Sequence, residues 1–431
     1  MMKHRYESST IPQSQHGQAE ACTHGRHATL EYAENKQYNL RMMYGDYIYN
    51  KTGWPHFRWN QKELLGQITQ THFRQGELIG RMKELGFNLS NDAVLDTLTL
   101  DVIKSSEIEG EILNKEQVRS SIARRLGMDT NALIPTSRDV DSVVEMFLDA
   151  TQNYDKPLTK ERLFGWHAAL FPKGYSGMNK IKVGAWRDDA KGPMQVISGP
   201  VGHERVHFEA PPANRIEKEM SAFLKWYNGK DDTDLVLRAG VAHFWFVTIH
   251  PFDDGNGRIA RAITDMTLAR SEQSPQRFYS MSAQIRLERD AYYRGLEKAS
   301  KGTLDITEYL EGFLGYMNRA FDNVEVTLSA VLRKARFWKS NAALTLNDRQ
   351  RLMLNKLLDG FEGKLTSSKW AMIAKCSQDT ASRDIDDLID KGVLIKDAAS
   401  GRSTSYSLKA TGELHQNQIH APEQPHHGRH M

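Results

Sequence analysis

The amino-acid sequence predicts a mainly α-helical protein with a β-hairpin flap, an N-terminal helical module and a C-terminal winged helix-turn-helix. Three observations support this fold class. Apolar residues recur at helical spacing over most of the chain from about residue 60 to 325. One stretch, 183–212, replaces that pattern with Gly, Pro and β-branched residues in short alternation, as expected for a hairpin. From about residue 344 to 408, three short helical patterns precede two strand-like ones, the order of a winged helix.

Length and composition limit the function classes. The 431 residues suggest two or three domains, and 57 Lys and Arg against 54 Asp and Glu leave a net charge of only +3. A bulk nucleic-acid or polybasic membrane binder would carry a clear basic surplus, although a local patch stays open. The two cysteines, Cys22 and Cys376, cannot build a disulfide framework. With no apolar run long enough for a signal peptide or a membrane span, we expect a cytoplasmic protein without a membrane partner.

Composition and periodicity divide the chain into six predicted parts. These are a disordered tail (1–45), an N-terminal helical module (46–125), a central domain (126–325), a helical linker (326–343), a winged helix-turn-helix (344–410) and a second disordered tail (411–431).

Two helices are predicted in the N-terminal module. Asn60 can cap the first, with Glu63 at the capping-box position and Gly86 ending the run. The second follows Ser90 and ends in the segment SSEIEG, Ser105–Gly110. In the central domain, a helix from about Thr233 to Thr248 is apolar nearly all round, which predicts that it is buried in the bundle.

The segment directly after this buried helix is HPFDDGNGRIAR, residues 250–261. The run Gly255-Asn256-Gly257 breaks one helix and a new helix begins at about Asn256. The first turn of a helix has unpaired N–H groups and the positive end of the helix dipole, which together bind anions such as phosphate. Glycines on both sides of Asn256 allow a phosphate to approach the backbone closely.

The side chains of this segment fit phosphoryl or nucleotidyl transfer. Asp254 is a hard oxygen ligand suited to Mg²⁺. Arg258 and Arg261 lie on one face of the new helix and can neutralise phosphates. His250 ionises near neutral pH and suits a general base that takes a proton from an attacking hydroxyl. A GNG turn or a helix-end histidine alone is usually structural; it is their combination with the acid and arginines that favours function.

At these residues the sequence resembles a known family. HPFDDGNGRIAR is similar to the Fic motif HPFx(D/E)GNGRxxR at every defining position, and the resemblance extends from about residue 100 to 325. The helices ahead of it resemble a module often fused to bacterial Fic domains. The resemblance implies transfer of AMP from ATP to a Ser, Thr or Tyr hydroxyl of a target protein, with release of diphosphate. It implies His250 as the base, Asp254 as the Mg²⁺ ligand, Gly255, Asn256 and Gly257 as the anion hole, and Arg258 and Arg261 as phosphate ligands.

The resemblance also implies two neighbouring regions of the site. The flap of Fic proteins binds the target segment by strand addition, and Val196 and Ile197 occupy the matching place, with Ile197 as the expected clamp on the modified residue. Tyr292 and Tyr293 stand near the adenine in the matching region, where one of the two is equally compatible with a core position. Glu288 stands where many relatives have Asn.

The segment SSEIEG matches the inhibitory pattern (S/T)xxxE(G/N) of the family, with Ser105, Glu109 and Gly110 in register. Ser105 and Glu109 are one helical turn apart and share a face. A Glu109 carboxylate beside Arg261 would form a bidentate pair with it and compete with the γ-phosphate of ATP. Without the Fic motif, Glu109 would simply be an exposed residue near a helix end that Gly110 terminates.

The winged helix adds a competing class of function. Its third helix carries five aspartates against one arginine, a face that DNA phosphates repel, although polar residues at its N-terminal end can still reach bases. DNA binding and protein contact both stay open, and so does a homodimer. The sequence as a whole predicts an auto-inhibited protein adenylyltransferase that uses ATP and Mg²⁺. The alternatives are a DNA- or protein-binding regulator with a nucleotide-sensing Fic fold, removal of AMP, or transfer of another nucleotide.

Overall fold

The computed structural model describes residues 3–5, 47–84, 87–128, 134–190, 192–199, 203, 205–361, 363–397 and 404–409. The helices in this part of the chain are α1 (Gln61–Glu84), α2 (Phe87–Ile108), α3 (Lys115–Arg125), α4 (Arg138–Gln152), α5 (Lys160–Leu170), α6 (Ala213–Asn228), α7 (Leu235–Ile249), α8 (Asn256–Glu272), α9 (Met281–Leu287), α10 (Arg289–Ser300), α11 (Thr307–Ser340), α12 (Asp348–Leu358), α13 (Ser367–Ala374) and α14 (Gln378–Asp390). The strands are β1 (Lys3–Arg5), β2 (Tyr175–Ser176), β3 (Asn179–Lys180), β4 (Gln195–Ser198), β5 (Arg205–Glu209), β6 (Leu394–Lys396) and β7 (Tyr406–Leu408). The predicted mainly α class is confirmed.

Contacts divide the chain into two compact units, 1–328 and 329–431. The domain boundaries that the sequence suggests stay predictions. Within the predicted N-terminal tail, Lys3–Arg5 pair antiparallel with β4. Residues 6–46 and the predicted tail 411–431 lie outside the described residues.

The N-terminal helices begin close to their predicted signals, with one difference. Helix α1 begins directly after Asn60, whose Oδ1 accepts a hydrogen bond from Lys62 N and whose side chain also bonds Glu63. Helix α2 begins at Phe87 instead of following Ser90, so the prediction was wrong by a turn. Serine is only slightly less favourable than alanine inside a helix, so Ser90 does not have to end one.

Helices α7 and α8 form the centre of the first unit. Asp234 caps α7 through Oδ1, which accepts hydrogen bonds from the backbone of Val236 and Leu237. Almost every residue of α7 is buried, as its continuous apolar character predicts. Gly240 lets α11 approach closely, since a Cβ there would lie 2.9 Å from the side chain of Leu310. The loop between α7 and α8 is therefore held between two rigid, buried helices.

The hairpin predicted over 183–212 is confirmed as β4 and β5, which pair antiparallel with an irregularity between Val196 and Ile197. Aromatic packing supports the hairpin from below. The buried cluster under it contains Tyr47, Tyr49, Met194, Phe208 and Ala210. Segment 47–50, far away in sequence, thus fixes the base of the flap.

The second unit contains α12, α13 and α14 followed by the antiparallel pair β6 and β7. The elements occur in the order that the winged-helix prediction requires, and that assignment stays a prediction, as does DNA binding. Two of the aspartates on α14 are used within the unit. Asp384 pairs with Arg349 at 2.7 Å, and Asp387 pairs with Lys391 at 2.5 Å.

Within the described ranges, no helix combines the length and apolar character that crossing a bilayer requires.

The core of the second unit predicts a large, local effect of one substitution. Trp370 on α13 is fully buried, whereas Met372 on the same helix is 72% exposed. We expect Trp370→Ala to lower the free energy of unfolding of this unit by about 3–5 kcal/mol, because the cavity cannot refill. Met372→Ala should change it by less than about 0.5 kcal/mol. Urea unfolding followed by circular dichroism checks both, and equal effects of the two substitutions would contradict this packing.

Candidate active site

His250 ends α7 in a left-handed conformation, with φ 51° and ψ 59°. Its Nδ1 lies 3.2 Å from the carbonyl oxygen of Val247. A carbonyl can only accept, so this contact assigns the proton to Nδ1 and leaves the lone pair on Nε2. The imidazole lines a cavity together with Glu109 and Gly257. The acceptor nitrogen, Nε2, therefore lies on the side of the ring that faces away from Val247 O.

Arg187 supports the backbone of His250, a function that the sequence did not indicate. Its Nε donates to the carbonyl oxygen of His250 at 2.8 Å, and its Nη2 donates to that of Pro211 at 2.5 Å. The Arg187 side chain is fully buried and also pairs with Asp189. A single buried cation thus links the end of α7 to the segment that follows the flap.

Two side chains hold the loop itself. Phe252 is completely buried and stacks on His167 with ring centroids 4.3 Å apart, as expected for a core residue. Asn256 Nδ2 donates to the carbonyl oxygen of Phe252 at 2.8 Å, and its Oδ1 accepts from Phe252 N at 3.0 Å. Burial lowers the pKa of His167 to about 4, so this ring is neutral at physiological pH. Asn256, predicted in the anion hole, therefore contributes by fixing the loop with its side chain.

The two glycines of the loop serve different steric needs. Gly255 has φ 78°, and a Cβ there would lie 2.9 Å from the ring of Phe171. At Gly257, a Cβ would lie 2.2 Å from Glu109 Oε1. The Glu109 carboxylate thus lies directly over the first turn of α8, where the sequence predicted an anion. This position combines the free N–H groups of a helix N-terminus with its positive dipole end.

Asp254, the predicted Mg²⁺ ligand, lies at the end of this loop, two residues before α8 begins. Its Oδ1 accepts a hydrogen bond from Gly255 N at 2.6 Å, and its Oδ2 accepts one from Ser176 Oγ. Among the described residues, no cluster of three or more metal-ligating side chains occurs. Mg²⁺ often needs only one or two protein carboxylates, since phosphate oxygens and water complete its coordination. The carboxylate chemistry of Asp254 fits such a site.

Arg261, 2% exposed, is held by the predicted inhibitory segment. Its Nε donates to Ser105 Oγ at 2.7 Å, and its Nη2 donates to Ser105 O and to Glu109 Oε1, both at 2.8 Å. The expected bidentate pair is therefore wrong in detail, because Ser105 takes up the Nε face of the guanidinium and leaves one contact for Glu109. Burial by itself would lower the pKa of Arg261, but Glu109 together with Tyr292 and Tyr293 outweighs it, and the pKa is raised above its ordinary value.

Arg258 has a partner that the sequence did not indicate. It is also 2% exposed, and its Nη1 lies 2.5 Å from Glu111 Oε2. Glu111 directly follows Gly110, which has φ 86°. The only sequence signal was a second acid immediately after the inhibitory pattern.

Tyr292 is fixed from the core side by a chain of hydrogen bonds. Thr264 Oγ1 donates to Ala260 O, so it accepts from His243 Nδ1 at 2.9 Å. His243 Nε2 is then an acceptor, and Tyr292 O–H donates to it at 2.7 Å. Burial lowers the pKa of His243 to about 3, so the ring stays neutral. The hydroxyl of Tyr292 therefore points into the core, and its ring lines the cavity beside His250.

The two other predicted adenine-side residues are separated. Tyr293 lines the same cavity as Tyr292 and packs under the guanidinium of Arg289, 4.8 Å from its ring centroid. Glu288 instead pairs with Arg319 on α11, at 2.5 and 2.9 Å. The structure thus brings the tyrosines to the His250 cavity and holds the Glu288 carboxylate on α11.

The flap contributes Val196, His207 and Phe208 to the cavity wall. Ile197, the predicted clamp, is 6% exposed and pairs with Val206 across the hairpin. Of the two predicted flap residues, Val196 therefore lines the cavity, and Ile197 is not among its lining residues.

Two segments of this chain match known protein families. Residues 157–268 match the Fic/DOC family, and residues 47–128 match a domain of unknown function, DUF4172. The Protein adenylyltransferase Fic of Nematostella vectensis is 38% identical over 103 residues, which is 23% of this chain and 22% of that relative. The Protein adenylyltransferase fic-1 of Caenorhabditis elegans is 28% identical over 120 residues, 25% of this chain and 22% of that relative. The matched segments thus span about a fifth of the length of these relatives.

A solved structure of a Fic family protein from Desulfovibrio desulfuricans has a TM-score of 0.42 and 22% identity to this chain, and the match covers 80% of this chain and 97% of that one. The family match includes the whole segment HPFDDGNGRIAR, of which His250 and Gly257 line the cavity described above. Over residues 157–268, the chain therefore matches the Fic/DOC family.

Proposed function

We propose that the protein is an auto-inhibited adenylyltransferase that transfers AMP from ATP to a hydroxyl side chain of a target protein and releases diphosphate. The observation that carries this proposal is the carboxylate of Glu109 over the first turn of α8, against Gly257 and Arg261. The Glu109 carboxylate thus occupies an anion-binding position that the first turn of α8 and Arg261 form. The phosphates of ATP are the anions that such a site suits best.

The arrangement of His250 supports a role as general base. With its proton on Nδ1, facing Val247 O, the imidazole has a lone pair on Nε2 for the proton of a target hydroxyl. The hydroxyl oxygen then forms a bond to the α-phosphorus, and the bond to the diphosphate leaving group breaks. Arg258 and Arg261 on α8 stabilise the negative charge of the phosphates.

Asp254 is the residue that would hold Mg²⁺. The ion would neutralise charge on the phosphates and on the departing diphosphate. Independently of the ion, the hydrogen bonds from Gly255 N and Ser176 fix the carboxylate relative to the loop.

The flap supports a protein target over a small acceptor. Strand β4 pairs on one edge with β5 and on its other edge with the three residues of β1. An edge that accepts a strand of three residues by backbone pairing can accept an extended segment of a target. Val196 would contact the target beside the hydroxyl that receives AMP.

Removal of AMP and transfer of another nucleotide use the same residues and remain alternatives within this class. A purely nucleotide-sensing role, with DNA or protein as the partner of the second unit, is the alternative outside it. The tautomer of His250 favours the enzyme, because a sensor needs no base beside its phosphates.

Loss of the base should abolish transfer. In the Glu109→Gly background, we expect His250→Ala to lower the rate of AMP transfer from α-³²P-labelled ATP by about 10²–10⁴-fold, the usual contribution of a general base. His250→Asn is a matched second variant, because asparagine tolerates the left-handed conformation at this position. Transfer at the parental rate by both folded variants would exclude His250 as the base.

Loss of the Glu109 carboxylate should release the enzyme. We expect Glu109→Gly to increase self-labelling or labelling of lysate proteins by on the order of ten- to a hundredfold, because a hydrogen-bonded contact to a buried charge contributes about 1.5–3 kcal/mol. Glu107→Gly, two residues earlier in α2, is the control, since Glu107 pairs with Lys104 and Arg286. Equal labelling by wild type and Glu109→Gly would contradict the auto-inhibited state.

A further inference from the structure

Both arginines of the motif are paired with acids from a single turn of chain. Glu109 Oε1 lies 2.8 Å from Arg261 Nη2, and Glu111 Oε2 lies 2.5 Å from Arg258 Nη1. Both guanidinium groups are 2% exposed. A cation so far removed from water is strongly destabilised without a partner of opposite charge. The two carboxylates therefore supply charge that phosphates would otherwise supply.

The end of α2 explains why two acids separated by one residue can reach neighbouring arginines. Gly110 N donates to Glu107 O at 3.1 Å, and Glu111 N donates to Ser106 O at 3.0 Å. These two bonds, with φ 86° at Gly110, form a Schellman motif, which reverses the chain after a helix. Glu109 stands before the reversal and Glu111 after it, so both side chains face α8.

The two acids differ in their access to solvent. The side chain of Glu111 is 46% exposed, against 26% for Glu109. Arg258 is held independently of its acid, because its guanidinium packs over the ring of Phe171 at 5.1 Å. Its buried Nε has no hydrogen-bond partner among the described residues. Departure of Glu111 would thus leave Arg258 in place and ready for a phosphate.

We infer that Glu111 is a second inhibitory residue, which competes with nucleotide phosphate for Arg258 as Glu109 competes for Arg261. This inference rests on the proposed function only in that the site binds ATP. Each carboxylate controls one arginine, so removal of Glu109 alone leaves phosphate binding at Arg258 restrained. Full engagement of the phosphates requires both acids to leave.

The test is ATP affinity measured by isothermal titration calorimetry in the presence of Mg²⁺. We expect Glu111→Gln, which keeps the size of the side chain and removes its charge, to tighten ATP binding about fivefold in the full-length protein, the upper end of the range for a partly exposed ion pair. The same gain is expected in the Glu109→Gly background, because the two acids contact different arginines. Glu107→Gln is the matched control and should leave ATP affinity unchanged, since Glu107 pairs with Lys104 and Arg286.

Adenosine distinguishes competition with phosphate from a general change of the site. Its affinity should be the same in Glu111→Gln and wild type, because it has no phosphate to meet Arg258. Unchanged or weakened ATP binding in Glu111→Gln in both backgrounds would overturn the inference, as would an equal gain for adenosine, or a failure of every variant to bind ATP. A fivefold gain in ATP affinity without AMP transfer by Glu109→Gly would contradict the proposed transferase and leave the role of Glu111 intact.

Discussion

The positive charge at the N-terminus of α8 is the constraint on which the site depends. Arg258 and Arg261 lie on the first turns of this helix with almost no exposure to water, and the helix dipole adds further positive potential. Such a concentration of buried charge is stable only with anions close by. In this protein the anions are Glu109 and Glu111, which directly follow α2, about 150 residues earlier in the chain. The fold of the N-terminal helices is therefore coupled to the charge state of the site.

The loop ahead of α8 is rigid because several unrelated contacts converge on it. Asn256 closes the loop onto Phe252 through two hydrogen bonds, and Phe252 packs on His167. Arg187 holds the carbonyl of His250. Each of these groups acts on the backbone from the side of the core, so none of them has to move for an anion to lie over Gly257. A pre-organised site of this kind loses little free energy in ordering itself around a ligand.

How much of the site the sequence predicts depends on how far apart the residues of each contact lie along the chain. The residues of HPFDDGNGRIAR are contiguous, so helix periodicity and glycine chemistry suffice to assemble His250, Gly257 and Arg261 at one helix end. The position of Glu109 came from a resemblance, and its contact with Arg261 is present. The division of that guanidinium between Ser105 and Glu109 could not be predicted, because it depends on the exact distance between α2 and α8.

Contacts between segments that are distant in the chain account for the remaining differences between the predictions and the structure. Nothing in the sequence indicated the role of Arg187. Its partners are the carbonyl groups of His250 and Pro211, which only the fold brings close to its side chain. The choice between Val196 and Ile197 depends on strand register, and a shift of one residue exchanges the two faces of a strand. Glu288 resembled a site residue by position, but Arg319 on a later helix binds its carboxylate.

Helix α10 connects the two sides of the cavity. Tyr292 and Tyr293 line it near Glu109, and one turn later Glu297 binds His207 of the flap at 2.8 Å. Burial opposes ionisation of Glu297, but hydrogen bonds from Lys301 and His207 outweigh it and lower the pKa of Glu297 to about 2. A carboxyl whose pKa is lower in the folded state stabilises that state above its unfolded pKa, and this contribution is lost only as the pH falls towards 2. At neutral pH the ionised carboxylate of Glu297 therefore connects the flap to α10. The same helix carries Tyr292 and Tyr293, so α10 positions both the flap and the tyrosines that line the cavity.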